Sequence, residues 1–317
     1  MNSKPILIAI VCGLLTAILL RAPLWTGGAG VLLALFAVLP LYVSALGFGM
    51  TCGIISAAIA SAVTAVFAGP LAAVGSFLLT LAPAVWAGRM AGLARQDTDQ
   101  QGVVEWFPLS TMLYRMALLC AALTVAYGWM IGFDEQNFAE QLKTMIVQAQ
   151  KQIAASNPDF VPPADAELTA MTGTMAALFA PAMPFSLLVM YVTNMSLGAR
   201  IARARGWMAR PKDDIPAKAG LPLEAAAILA IALGLLFLGG PVGLTGKAIA
   251  GAMIAAFFLV GLAVLHAVTR GITARPFLLN GVYFLILITG FPAIFIVCAG
   301  LAETLVGIRN RFQNTTT

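Results

Sequence analysis

The residues able to do chemistry in this chain are the few polar side chains inside its apolar runs: Arg115, Tyr114, Tyr191, Asn194, Asn280 and His266. Groups of this kind are costly at bilayer depth and usually face a bundle interior or a watery cavity. The chemistry they suit is ligand binding, with the side chains converging on a small polar molecule. Arg115 lies seven residues past Pro108, about two turns into an apolar run at 1.5 Å per residue. It either snorkels to the nearby surface or faces a polar cavity lined by groups such as Tyr191, Asn194 or Asn280. The cavity is the preferred reading, because an unpaired arginine in hydrocarbon costs about 2.5–3.5 kcal/mol. The nearest acids, Glu105 and Asp134, lie outside the run.

Bond-making chemistry has no such foothold. Cys12, Cys52, Cys120 and Cys298 sit singly in apolar runs, and His266 is the only histidine. Metal ligation needs clustered Cys, His or carboxylates, so neither a metal site nor a cofactor is expected. No hydrolase elbow, phosphate-binding loop or zinc motif is present, and no span holds paired carboxylates. An enzyme is not expected.

The elements that must position these residues are membrane helices. Of 317 residues, 61% are hydrophobic and 10% charged, against about 25% charged in soluble domains. The expected fold is an all-α polytopic transmembrane bundle. Its organising run is 171–197, longer than the roughly 20 residues a bilayer core requires. Arg200, Arg203, Arg205, Arg210 and Lys212 follow it. Eight or nine spans are expected, near 5–20, 31–46, 49–68, 71–88, 108–131, 171–197, 222–238, 247–268 and 276–302. The last should kink at Pro292, since proline removes a backbone donor and clashes one turn back. Residues 1–20 read as a retained first span, because no small-x-small cleavage site follows them. The plan divides into a bundle, 1–198, carrying loop 132–170, then a basic loop, 199–221, then a hairpin with a kinked last helix, 222–317.

Charge orients the plan. Loop 132–170 holds two lysines against six carboxylates, and loop 199–221 six basic residues against two carboxylates. One span between loops of opposite sign places the basic loop, and with it the N-terminus, on the cytoplasmic side of a bacterial inner membrane. Arg309 and Arg311 conflict with nine full crossings, so either the first or the last segment does not cross completely or the tail departs from the positive-inside bias. The net charge of +5 follows from the same bias; the lipid bilayer is the expected partner and nucleic acid is not. Trp25, Trp86, Trp106, Trp129 and Trp207 fall near span ends, where amphipathic rings collect.

Two segments bear on partners. Gly49, Gly53, Ala57 and Ala60 recur at three- and four-residue spacing, which lets helix backbones approach closely. They form either an internal packing face or a docking face for a membrane partner subunit. Segment 134–153 places Phe138, Leu142, Met145, Ile146 and Ile153 on one helical face. It is either an interfacial helix or a lid over an outward cavity. Asn157-Pro158 and Pro162-Pro163 then interrupt it.

Pro40-Leu41 in the second span, and Gly47, Gly49 and Gly53 opening the third, carry a resemblance. So does the closing Gly307-Ile308-Arg309-Asn310-Arg311 after Glu303. On these residues the chain resembles the YybS-like family of bacterial membrane proteins, whose function is not established. That family in turn resembles the substrate-binding S subunits of energy-coupling factor importers. The resemblance implies a helical bundle that captures a small molecule, so a transport-type binding component is expected. The alternative is a non-transporting scaffold of an envelope or division assembly.

Overall fold

Glycine and proline punctuate the apolar runs and set where each helix begins and ends. A computed structural model describes residues 3–96, 104–157 and 159–309. Pro158, Asn310 and Arg311 lie outside the described residues. The elements in order are α1 (Ser3–Thr26), α2 (Gly28–Ala34), α3 (Leu39–Phe48), α4 (Met50–Ala68), α5 (Pro70–Ser76), a π-helical turn (Phe77–Leu81) and α6 (Ala82–Gly92). A two-stranded antiparallel hairpin follows, β1 (Ala94–Gln96) with β2 (Val104–Trp106), registered at Arg95 opposite Glu105. Then come α7 (Leu109–Met130), α8 (Glu135–Ser156), α9 (Asp165–Ala204), α10 (Ile215–Lys218), α11 (Leu223–Leu235), α12 (Gly240–Val268), α13 (Arg275–Thr289) and α14 (Pro292–Val306). The protein is an all-α polytopic bundle. Seven helices among the described residues are long and apolar enough to cross a bilayer, or up to eight with the bent pair α13–α14.

Local chemistry explains the corners. Gly49 closes α3 and opens α4 at φ 88°, and Gly69 does the same between α4 and α5; only glycine takes that backbone region without strain. Pro70 then starts α5, where its missing N–H costs nothing. Asp134 caps α8 by accepting from the Asn137 N–H at 2.9 Å.

α12 is the spine. Two thirds of its most apolar stretch is buried, against 28–39% in the other spans. It packs on α7, α9, α11 and α14. Gly251 faces the Pro181 carbonyl on α9, Gly261 the Ile296 carbonyl on α14, and Gly300 the Phe257 carbonyl, all too close for any side chain. The amino-terminal spans form a second layer. α1 and α4 run parallel, with the Ser56 hydroxyl donating to the Ala9 carbonyl at 2.8 Å and pairing with Ser44 at 2.7 Å.

Three expected spans differ. α11 has 13 residues, about 20 Å of helix against a core of about 30 Å, because the chain turns at 236–239 before Pro241. α9 has 40 residues, about 60 Å; its first turns continue beyond a bilayer's depth and pack against α8. The last segment is not one kinked span. α13 ends at Gly290, left-handed at φ 67°, Pro292 starts α14, and the two axes differ by 118°. A left-handed glycine terminates a helix where proline alone would bend it. The chain therefore returns: Arg309 donates to the Pro216 carbonyl at 2.7 Å and the Ala219 carbonyl at 2.6 Å, beside the basic loop. Its charge conflict with nine crossings traces to this segment.

Candidate functional site

Two spans are broken near their middles, each about one turn before a proline. In the second span, Pro40 has no N–H for the Phe36 carbonyl. The Leu39 N–H bonds Phe36 at 3.0 Å instead, the 35–38 stretch tightens into three-residue turns, and the Leu35 carbonyl loses its helical donor. In the fourth span, Pro83 cannot donate to Leu79, and the helix widens into the π turn. A bare carbonyl at bilayer depth costs several kcal/mol, so such breaks occur only where protein groups re-satisfy them.

One helix does this for both. On α9, the Tyr191 hydroxyl donates to the Leu79 carbonyl at 2.5 Å. Three residues on, Asn194 Nδ2 donates to the Leu35 carbonyl at 2.7 Å and to its own Met190 carbonyl at 2.8 Å. Tyr191 and Asn194 are both buried, at 1% exposure. One turn further, Gly198 admits Tyr42 of α3, whose Cβ lies 2.8 Å from where a Gly198 side chain would start. The knot is not saturated. The Tyr42 hydroxyl and the Asn194 Oδ1 are buried and have no hydrogen-bond partner among the described residues, a state that native interiors rarely leave without a reason.

Of the six sequence-derived binding residues, the structure brings Tyr191 and Asn194 together and disperses the rest. Arg115 does not face a cavity. It is exposed on α7 with its guanidinium 5.3 Å from the Phe107 ring centroid, next to the start of that helix, so it takes the snorkelling course with a cation–π contact. Tyr114, one residue before, is half-buried. His266 pairs with the Tyr283 hydroxyl at 2.8 Å near the end of α12. Asn280 is exposed on α13, a helix with no buried residue. The docking face is also spent internally. A Cβ on Gly53 would lie 2.9 Å from the Ala45 Cβ, Ala57 and Ala60 are buried, and Gly49 is the turn itself. Tyr42 escaped the sequence reading; Pro40 and Pro83, each within a span, were the available signal for the breaks.

Open space lies at the two ends. A cavity of about 910 Å³ sits between the end of α7 and the starts of α8 and α12, walled by Trp129, Phe133, Phe237 and Leu244. Lys247 of α12 pairs with Glu135 of α8 across it. At the end carrying loop 199–221, a cavity of about 860 Å³ opens over α3, α7 and α9. Arg210, 4% exposed, frames it by donating to Asp213 at 2.7 Å, the Ala91 carbonyl at 3.1 Å and the Phe107 carbonyl at 3.0 Å. Arg270 pairs with Asp214 and holds that carboxyl below its ordinary range.

Fold and knot together define a polytopic helical protein with discontinuous membrane-type spans. No family model matches the sequence, and comparison with curated proteins and with solved structures finds no match either.

Proposed function

We propose that this is a transport-type, small-molecule-binding component of a bacterial inner membrane, in line with the YybS-like and importer S-subunit resemblance. The observation that carries the reading is the mid-span knot. Many secondary transporters place their sites near the bilayer midplane, at discontinuous helices with unwound backbone carbonyls. Here Leu35 and Leu79 supply such carbonyls, α9 holds them, and Tyr42 and Asn194 keep a spare donor or acceptor. The basic loop 199–221 and Lys4 lie on the cytoplasmic side in this reading, by the positive-inside bias. The protein is not an enzyme in this reading; a partner subunit would dock on a face other than 49–60.

Native mass spectrometry of the purified full chain tests it. A small-molecule adduct present in wild type and lost in Tyr42→Phe and Asn194→Leu supports the reading. A second reading, a non-transporting scaffold, is favoured by one observation: the centre is filled by Tyr42, Leu188, Met253 and Phe257, all fully buried. Absence of any adduct, with solvent exchange at the knot as slow as in the core of α12, would select the scaffold.

A further inference from the structure

The cavity at the basic end combines an apolar surface with a cationic one. Its floor is apolar: Leu46 of α3, Leu109 and Met112 of α7, Met195 of α9. Its rim is cationic. Both carboxylates on the rim are already engaged, Asp213 by Arg210 and Lys218, Asp214 by Arg270. Arg210 is likewise spent, with all three guanidinium nitrogens bonded. That leaves Arg200, Arg203 and Lys212 lining the mouth with no ion-pair partner among the described residues. Arg203 makes only a 3.4 Å bond to the Pro211 carbonyl.

We infer that this cavity binds a phosphate-bearing amphiphile, with the phosphate on Arg200, Arg203 and Lys212 and the apolar tail on the Leu46–Met112–Met195 floor. Arginine forks match phosphate oxygens bidentately, and about 860 Å³ lies within the range of small-molecule sites. The floor selects an anionic phospholipid of the surrounding leaflet over free phosphate. The inference does not rest on the mid-span knot, whose hydrogen bonds involve none of these side chains.

The test uses the full chain in phosphatidylcholine nanodiscs with phosphatidylglycerol titrated in, and native mass spectrometry to count anionic lipids retained on release. Wild type should retain phosphatidylglycerol over phosphatidylcholine. Arg200→Gln/Arg203→Gln/Lys212→Gln should lower that preference at least tenfold, since each cation near an anionic surface is worth about 1 kcal/mol. Arg89→Gln/Arg95→Gln/Arg205→Gln, with equal charge loss outside the cavity, should leave it within twofold. Ser196→Trp, which fills the cavity and keeps every charge, should abolish it. Equal losses in the two triple variants, or retention unchanged by Ser196→Trp, would overturn the site in favour of diffuse surface attraction. A thermal shift from inorganic phosphate as large as that from the lipid would overturn the role of the tail.

Discussion

Asn194 Nδ2 lies 2.7 Å from the Leu35 carbonyl, a contact spanning 159 residues of sequence. It closes the break that Pro40 opens in the second span, and Tyr191 closes the matching break at Leu79. α9 thus meets the amino-terminal layer through hydrogen bonds as well as through the close packing at Gly198.

Removing either donor leaves a buried carbonyl bare. Asn194→Leu and Tyr191→Phe are each expected to destabilise the protein by about 1–3 kcal/mol. Tyr42→Phe removes a hydroxyl with no partner and should cost almost nothing. Thermal unfolding in one detergent, with the three variants side by side, measures this; a Tyr42→Phe loss as large as Asn194→Leu would refute the assignment of bonds.

The spine has no room for a side chain at Gly251 or Gly261. Gly261→Leu would drive α14 off α12, and Gly53→Leu would separate α3 from α4, each at about 1–3 kcal/mol or more. Arg115→Leu should stay within about 0.5 kcal/mol, because the arginine is exposed and has no polar partner among the described residues. Folded yield on size-exclusion chromatography ranks the three.

At the opposite end, Lys247 ties α8 to α12 through Glu135. Half-exposed pairs contribute little stability, so Lys247→Met should leave the unfolding temperature nearly unchanged. Amide exchange across 135–156 should still rise several-fold, because α8 buries no residue of its own. Unaltered exchange would show that the Phe133–Phe138–Phe179 cluster and the Lys143–Asp165 pair fix α8 without Lys247.

The Asp214–Arg270 pair provides a pH test. Asp214 is shifted down, first by the hydrogen bond from Arg270. A lowered carboxyl contributes above its unfolded value and loses that contribution as pH falls through the folded one. Protection of 205–218, exchange corrected for its intrinsic pH dependence, should therefore stay flat from neutral pH down to the ordinary aspartate range and fall as pH drops through that range toward the lowered folded value. Asp214→Asn should lower protection at neutral pH and lose that effect at pH below the folded value.

Much of the plan was legible because bilayer spans are written in run length: the long helices fall where the apolar runs do. What failed has physical causes. Helical phase alone cannot tell which face of α7 meets the bundle, so Arg115 was placed inward and lies outward. Small residues on α4 mark a close approach without saying which backbone approaches; it was Ala45 of the same chain. Tyr191 and Asn194 were recognised as unusual, but their partners are main-chain carbonyls, and carbonyls are anonymous in a sequence. The prolines that free them, Pro40 and Pro83, were visible, but neither was read for its effect on a helix.

The long reach of the α9 contacts also sets a clock. Leu79 and Leu35 are made 112 and 159 residues before the side chains that bond them. At ribosomal rates of about 5–20 residues per second, Leu35 waits on the order of ten seconds for its partner. During that interval the nascent chain holds two open carbonyls within its amino-terminal spans, and these must lean on lipid headgroups, water or the insertion machinery. The arrival of α9 is the moment those spans lock, so a ribosome paused before codon 191 would strand a half-made bundle with its weakest points uncovered.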